Sequence, residues 1–240
     1  MKKLRLTLIL LSFLPLWMNA QEEKEILPVN WEEIKKEVKT NPKHVKELVA
    51  RMSVEQQDTT LTYPEKILAF YGQSLLTKDK EEAQVAKMEK LAREGKLEQC
   101  LKKAKKILEI NPLNLDALTM TGQVLFSMAQ DSVRWPQVKA DDARCYVRCT
   151  AALLNTIDRT GDGSKEHPFY VTKISDEYNF MRFYLNLWKL ETQMFDGDYD
   201  IFSLGETSQF YNRSEIYFDI TRVNDLMYTR LQREKMFRFH

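Results

Sequence analysis

From Gly95 to Phe126 the chain reads GKLEQCLKKAKKILEINPLNLDALTMTGQVLF, and this stretch leaves little choice of local structure. Leu97, Leu101, Ala104 and Ile107/Leu108 recur at helical spacing with lysines and glutamates between them. That lays an apolar stripe along one face of a helix and solvates the other. Asn111-Pro112 ends the helix, because the residue before a proline is driven out of the helical region. Asn114 caps a second helix by accepting an orphan backbone N–H, and Asp116 in its first turn suits the positive end of the helix dipole. Leu118, Leu125 and Phe126 continue the stripe, while Gly122 leaves room for a neighbouring helix.

Gly95 at the turn, Ala104 in the second helix and Pro112 at the close, with Gly122 in a next unit, resemble a tetratricopeptide-type repeat. Cys100 stands where the first alanine is usual, and Thr121 where a leucine is common. About one and a half units are visible against the three a free-standing solenoid needs. A hairpin inside a packed core is therefore the plainer reading than one unit of a long array.

The same patterning runs on either side. Trp31, Ile34 and Val38 mark a short amphipathic helix. Asn41-Pro42 reads as a cap and a helix-starting proline, followed by Val45, Leu48, Val49 and Met52. Thr62-Tyr63-Pro64-Glu65 is a capping box ahead of Ile67, Leu68, Tyr71 and Leu75. Lys78 to Glu98 is dense in charge of both signs, which reads as a solvated helix face over Val85, Met88 and Leu91/Ala92. Asp131 to Lys139 breaks the pattern, and Asp141 or Asp142 starts a further helix through Ala143, Tyr146, Val147, Thr150, Leu153, Leu154 and Ile157.

At Thr160-Gly161-Asp162-Gly163-Ser164 the character changes to a turn cluster. Phe169–Ile174 reads as a strand, and Ser175-Asp176-Glu177 as the cap of a short helix through Phe183. Leu185–Met194 alternates as a strand with Trp188, Leu190, Thr192 and Met194 on one face and Lys189, Glu191 and Gln193 on the other. Asp196-Gly197-Asp198 turns it into Tyr199–Leu204. Ile216, Phe218 and Ile220 give another strand, and Val223, Leu226, Met227 and Leu231 a closing helix. The expected fold class is α+β: tetratricopeptide-like hairpins over 21–159, then a small antiparallel sheet with flanking helices over 160–240, the two packed as one unit.

The chain opens MKKLRLTLILLSFLPLWMNAQ. A basic start, an apolar run from Leu6 to Trp17 and Ala20-Gln21 as a cleavage point have the layout of a secretory signal peptide over 1–20. The run is too short to span a bilayer, so no membrane span is expected after cleavage. Losing Lys2, Lys3 and Arg5 from 36 basic residues leaves 33 against 35 acidic, a net charge of about −2 that argues against a nucleic-acid partner. Cys100, Cys145 and Cys149 are too few and too odd in number for a disulfide framework. They read as buried small hydrophobes, with a bridge from Cys100 to one of the other two left open.

Catalytic signatures are absent: no G-x-S-x-G, P-loop or H-E-x-x-H occurs. Asp158, Thr160 and Asp162-Gly163 have the start of a calcium loop, but Phe169 stands at its twelfth position. Asp196, Asp198 and Asp200 alternate similarly, with Ile201 in place of glycine and Thr207 in place of glutamate. Turn chemistry accounts for both. His44, His167 and His240 are too scattered for a zinc triad, and Cys145 with His167 lacks a local nucleophile signature. Trp188, Tyr199, Tyr211 and Tyr217 form a candidate sugar-stacking row, against the plainer reading of cross-strand packing. No residue is assigned to catalysis, a cofactor or a metal.

Several stretches in order resemble one family: Trp31-Glu32-Glu33-Ile34-Lys35, Asp58-Thr59-Thr60-Leu61-Thr62, Tyr71-Gly72, Thr160-Gly161-Asp162-Gly163, Asp176-Glu177-Tyr178 and Ile216-Tyr217-Phe218-Asp219-Ile220. Together they resemble domain of unknown function 4919, over most of the chain after the leader. The family often has a double tyrosine before the glycine, where this chain has Phe70-Tyr71. The resemblance implies a secreted protein of Bacteroidetes and brings no catalytic residues. The expectation is an exported non-enzymatic protein, periplasmic or secreted, that binds an envelope protein or peptide through its helical region. Its oligomeric state is left open. An envelope hydrolase and a glycan-binding module on the aromatic sheet are the alternatives.

Overall fold

The computed structural model describes residues 24–77 and 81–238. The signal-peptide reading of 1–20, the first residues of the charged run at 78–80, and His240 lie outside the described residues. All seven helices expected before residue 160 are present: α1 (Trp31–Thr40), α2 (Pro42–Met52), α3 (Tyr63–Thr77), α4 (Glu82–Arg93), α5 (Leu97–Ile110), α6 (Leu115–Gln130) and α7 (Arg144–Asp158). The rest is β1 (Phe169–Tyr170), α8 (Ile174–Phe183), β2 (Leu190–Asp196), β3 (Tyr199–Leu204), β4 (Glu215–Asp219) and α9 (Thr221–Arg238). The fold is α+β.

Local chemistry sets the boundaries. Asn30 caps α1 through the Glu33 N–H at 3.3 Å. Asn41 closes α1 with its backbone N–H on Glu37 but makes no side-chain cap for α2, where Pro42 at the first position suffices. The capping box of α3 forms in both directions, Glu65 N–H to Thr62 Oγ1 at 3.4 Å and Thr62 N–H to Glu65 Oε2 at 2.7 Å. Asn114 caps α6 through the Ala117 N–H at 3.0 Å. Gly95 turns α4 into α5 at φ +71°, a left-handed conformation that favours glycine.

Helix α6 is the wall between two cores. Leu115 and Leu118 join a large cluster built from α1, α2, α3, α7, α8 and the sheet, including Trp31, Leu48, Tyr71, Leu153, Phe180, Phe202 and Phe218. Ala117, Val124 and Met128 join a smaller one with Val85, Met88, Leu97, Cys100, Ala104 and Ile107 of α4 and α5. The apolar stripe of α5 is thus spent on this second core and Leu118 of α6 on the first, while Leu125 and Phe126 are half-buried outside both. Trp135, expected only within a break, seals this second cluster and donates from Nε1 to Glu98 Oε1 at 3.2 Å. The segment before α1 is tied down from Lys24 onward: Lys24 Nζ reaches Asp158 at 2.7 Å, and the Leu27 N–H reaches Arg159 O at 2.8 Å.

The sheet has the order β1-β4-β3-β2. β4–β3 and β3–β2 are antiparallel, whereas β1 runs parallel to β4, so the sheet is mixed. The strand expected over Phe169–Ile174 is cut to two residues because the Thr172 N–H and hydroxyl both donate to Asp176 Oδ2, at 3.2 and 2.6 Å, turning the chain into α8. The strand expected from Leu185 starts at Leu190, because the backbone N–H groups of Leu185 and Leu187 close on Phe180 and Met181 at the end of α8. A bulge at Glu191 separates Leu190, paired with Leu204, from Thr192, paired with Ser203. The face proposed for Trp188, Leu190, Thr192 and Met194 is therefore split. Leu190 packs toward the main core, while Met194 is 59% exposed.

Candidate functional site

Two places concentrate chemistry. The first is a charged junction between the helical body and α8. Asp116, in the first turn of α6, accepts from Lys173 Nζ and Ser175 Oγ on Oδ2 at 2.7 and 2.8 Å, and from Asn179 Nδ2 on Oδ1 at 2.7 Å. Burial works to raise the Asp116 carboxyl, but Lys173 and the three hydrogen bonds hold it below the ordinary carboxylate range. Beside it, burial pushes the fully enclosed Asp176 up to about 6, against the pull of Lys173. Glu81, just ahead of α4, accepts from Asn111 Nδ2 at 2.7 Å and Asn114 Nδ2 at 3.4 Å. Glu81, Lys173 and Asp176 line a small cleft with Phe70, Leu113 and Leu115.

Deeper in, Glu177 of α8 faces Asp200 of β3, and both are fully buried. Burial, then the Asp200 charge, push the Glu177 carboxyl up to about 10, so it keeps its proton and shares it with Asp200. Asp200 Oδ2 accepts from Gln193 Nε2 at 2.6 Å, and Gln193 Oε1 accepts from the Tyr178 hydroxyl at 3.0 Å. This relay crosses from α8 to β2 with no opening to solvent at its carboxyl pair, which makes it a bolt rather than an acid–base pair facing a substrate.

The second place is the free edge of β2. Met194 and Phe195 are 59% and 62% exposed on it, and Trp188, two residues ahead of it, is 47% exposed. Glu206 Oε1 accepts from the backbone N–H groups of Trp188 and Lys189, fixing the approach to the strand.

The residues singled out from sequence do not gather elsewhere. Tyr211 is buried, its hydroxyl donating to Gly163 O at 3.1 Å and Glu215 O at 2.8 Å, so the row with Trp188, Tyr199 and Tyr217 is not formed. Asp158 is paired with Lys24, and Asp162 with Arg213 at 2.8 Å. Asp198 accepts from Asn224 at 3.0 Å, while Asp200 turns into the core and Asp196 to solvent. Among the described residues no group of three His, Cys, Asp or Glu side chains could hold a metal ion. His44 is half-buried on α2 and His167 exposed before β1. All three thiols are free, with Cys100 and Cys149 in separate clusters. Among the described residues no helix is long and apolar enough to cross a membrane.

A family model described as domain of unknown function (DUF4919) matches residues 32–228. The chain belongs to this family. The comparisons with curated proteins and with solved structures returned no match. In this DUF4919 chain the later stretches that carry the resemblance reach the interior, while Glu32, Glu33, Thr59, Thr60 and Thr62 of the first two stay exposed. The Tyr71 hydroxyl donates to Tyr170 O at 2.8 Å, Asp176 and Glu177 are enclosed, and the Tyr217 N–H reaches Gly163 O at 3.0 Å. Sequence reading missed Glu81, hidden in a charged run, and gave Ser175-Asp176-Glu177 only as the cap of a short helix, where the structure caps it at Lys173 and buries both carboxyls. The one available pointer was that Asp176-Glu177-Tyr178 belongs to the DUF4919 resemblance.

Proposed function

We propose that this DUF4919 member is an exported, non-enzymatic binding protein that takes up an extended peptide segment of a partner protein. The observation that carries this reading is the outer edge of β2, unpaired among the described residues and bearing two exposed apolar side chains. An edge strand with exposed backbone groups and large side chains is a template for an added strand; the bulge and charge at Glu191 and the charge at Asp196 blunt its two ends and leave Thr192–Phe195 between them. Here Met194 and Phe195 stand out on it, with Trp188 at its approach. Glu191 and Asp196 add acidic groups along the strand, which favours a segment carrying basic residues. Binding through the helical region remains the sequence-based expectation, but the α5 part of its hairpin stripe is occupied by a core. The leader layout of residues 1–20 is what supports export in this reading.

The test is selection of displayed peptides on the protein starting at Gln21, followed by titration. Selected segments should lose binding to Phe195→Asp and to Phe195→Pro, the latter removing an N–H that faces away from β3 and so blocking strand addition at the edge, with melting temperatures near that of the parent. Failure to enrich any peptide, or enrichment of peptides indifferent to both changes, overturns the reading. For export, intact mass of the protein recovered outside the cytoplasm should correspond to a start at Gln21; retention of Met1 overturns it.

A further inference from the structure

Where α3, the start of α4, the α5–α6 turn and the β1–α8 loop meet, a cleft encloses about 290 Å³, counting its open mouth. Glu81 and Asp176 line it and are 4% and 0% exposed. Each spends one carboxylate oxygen on protein donors, Glu81 Oε1 on the two asparagines and Asp176 Oδ2 on Thr172. The other oxygens, Glu81 Oε2 and Asp176 Oδ1, are buried with no partner among the described residues. Leaving a buried charged acceptor unmatched is costly, so two such atoms on one cleft call for a donor.

The charges say what kind. Asp116, Glu81 and Asp176 bring three negative charges to this junction. Lys173 supplies one positive charge, its Nζ held on Asp116 at 2.7 Å. Arg222 supplies another, bonding Ser74 of the lining through Nε to Oγ at 3.2 Å and Nη2 to the carbonyl at 2.8 Å. One negative charge is in surplus when Asp176 is ionised. The inner space suits a head of about one water-sized group. Phe70, Leu113 and Leu115 back the cleft and are themselves buried, which keeps the two acceptor oxygens out of bulk water.

The geometry points to a binding site for a primary ammonium group, its N–H donors on Glu81 Oε2 and Asp176 Oδ1 and its stem leaving through the open mouth of the cleft. The head carries donors only, matching two acceptors, and its single charge matches the surplus. A water would match the acceptors and leave the charge. An inorganic cation is poorly served, because among the described residues no three carboxylates converge on one point. A free alkylamine and the side chain of a partner's lysine share this chemistry. The site stands apart from the β2 edge and does not depend on what that edge binds.

Protonation tunes it. Asp176 faces Lys173 on its own segment, Asp116 from α6 and Glu81 from α4. It also lies beside Glu177, and Arg222 of α9 touches the same cleft through Ser74. With its carboxyl pushed up to about 6, affinity for an ammonium group rises as pH rises through that value.

The experiment is a titration followed by backbone amide NMR on the protein starting at Gln21, above pH 7, with n-butylammonium, Nα-acetyl-lysinamide, tetramethylammonium and potassium at matched ionic strength. The expected result is saturable shifts confined to amides around Leu113–Leu115 and Thr172–Asp176 with the first two and none with the last two. Tighter binding of the lysinamide assigns the site to a partner's lysine, and equal or tighter binding of butylammonium to a free amine. Glu81→Gln keeps its acceptor for Asn111 and Asn114 and leaves the fold intact, and it should weaken binding roughly tenfold, as should Asp176→Asn. No saturable shift with either amine, equal shifts with potassium, or an unchanged affinity in Glu81→Gln overturns the site.

Discussion

Glu177 and Asp200 put two carboxyl groups in the core within reach of one proton, and the consequence is a pH dependence of stability with a definite sign. In the unfolded chain Glu177 loses its proton near its ordinary value of 4.5, whereas in the fold it holds it up to about 10. Between those values the native state binds the extra proton, so stability falls as pH rises through the window and is greatest below it. Asp176 adds a loss in the same direction between 3.8 and about 6. Glu177→Gln keeps a donor for Asp200 without needing the proton. Urea denaturation near each end of the window should show the variant gaining on the parent as pH rises; a parent whose stability climbs with pH would sink the paired-carboxyl account. The thiols give a second residue-scale test. Burial pushes Cys100 up to about 11 and Cys149 up to about 12, which leaves almost no thiolate at neutral pH. A disulfide reagent should therefore modify Cys145 alone in the native protein, and Cys145→Ser should abolish that reaction until the chain is unfolded.

At the scale of elements, α6 carries the most because it faces both cores and begins on a cap that also touches the cleft. Asn114→Ala removes the bond to the Ala117 N–H and one donor to Glu81. It should cost about 1–2 kcal/mol, read as a lower melting temperature with helix content nearly unchanged. The loss should exceed that of Asn30→Ala at the exposed start of α1; equal losses would mean the Glu81 contact adds nothing. This cap was visible in the sequence, as were the Thr62–Glu65 box and all seven helices before residue 160, because caps and apolar stripes act over three or four residues. The β region was less legible. The Thr172–Asp176 bonds shorten β1, the bulge at Glu191 splits a face that simple alternation joined, and the parallel pairing of β1 with β4 has no local signal. The cleft was least legible: Lys173, Ser175 and Asn179 meet Asp116 from 57, 59 and 63 residues away, and nothing near Glu81 tells its burial from the solvated charges around it.

On the scale of the whole molecule, the question is whether the helical region and the sheet region fold separately. One apolar cluster holds Trp31, Tyr71, Leu118 and Leu153 together with Phe169, Phe180, Phe202 and Phe218, so neither region closes its interior without the other. Tyr71 reaches across to Tyr170, and Asp116 ties α6 to α8 by three bonds. Calorimetry of the protein starting at Gln21 should therefore show one transition, with equal calorimetric and van't Hoff enthalpies. A chain ended after Asp158 should show no cooperative transition, because the faces of α3, α6 and α7 that meet the sheet would lie open. Asp116→Ala should lower the transition by about 3 kcal/mol, since it strands a Lys173 whose side chain is only 25% exposed. Asp116→Asn, which keeps acceptor oxygen for Ser175 or Lys173, should cost less. Both variants should still unfold in a single step, because the charged tie orients α8 while the shared apolar cluster supplies the cooperativity. Two resolved transitions in the parent, or a cooperative fragment ending at Asp158, would show instead that the boundary near residue 160 separates independent domains and that the Asp116 tie joins bodies already folded.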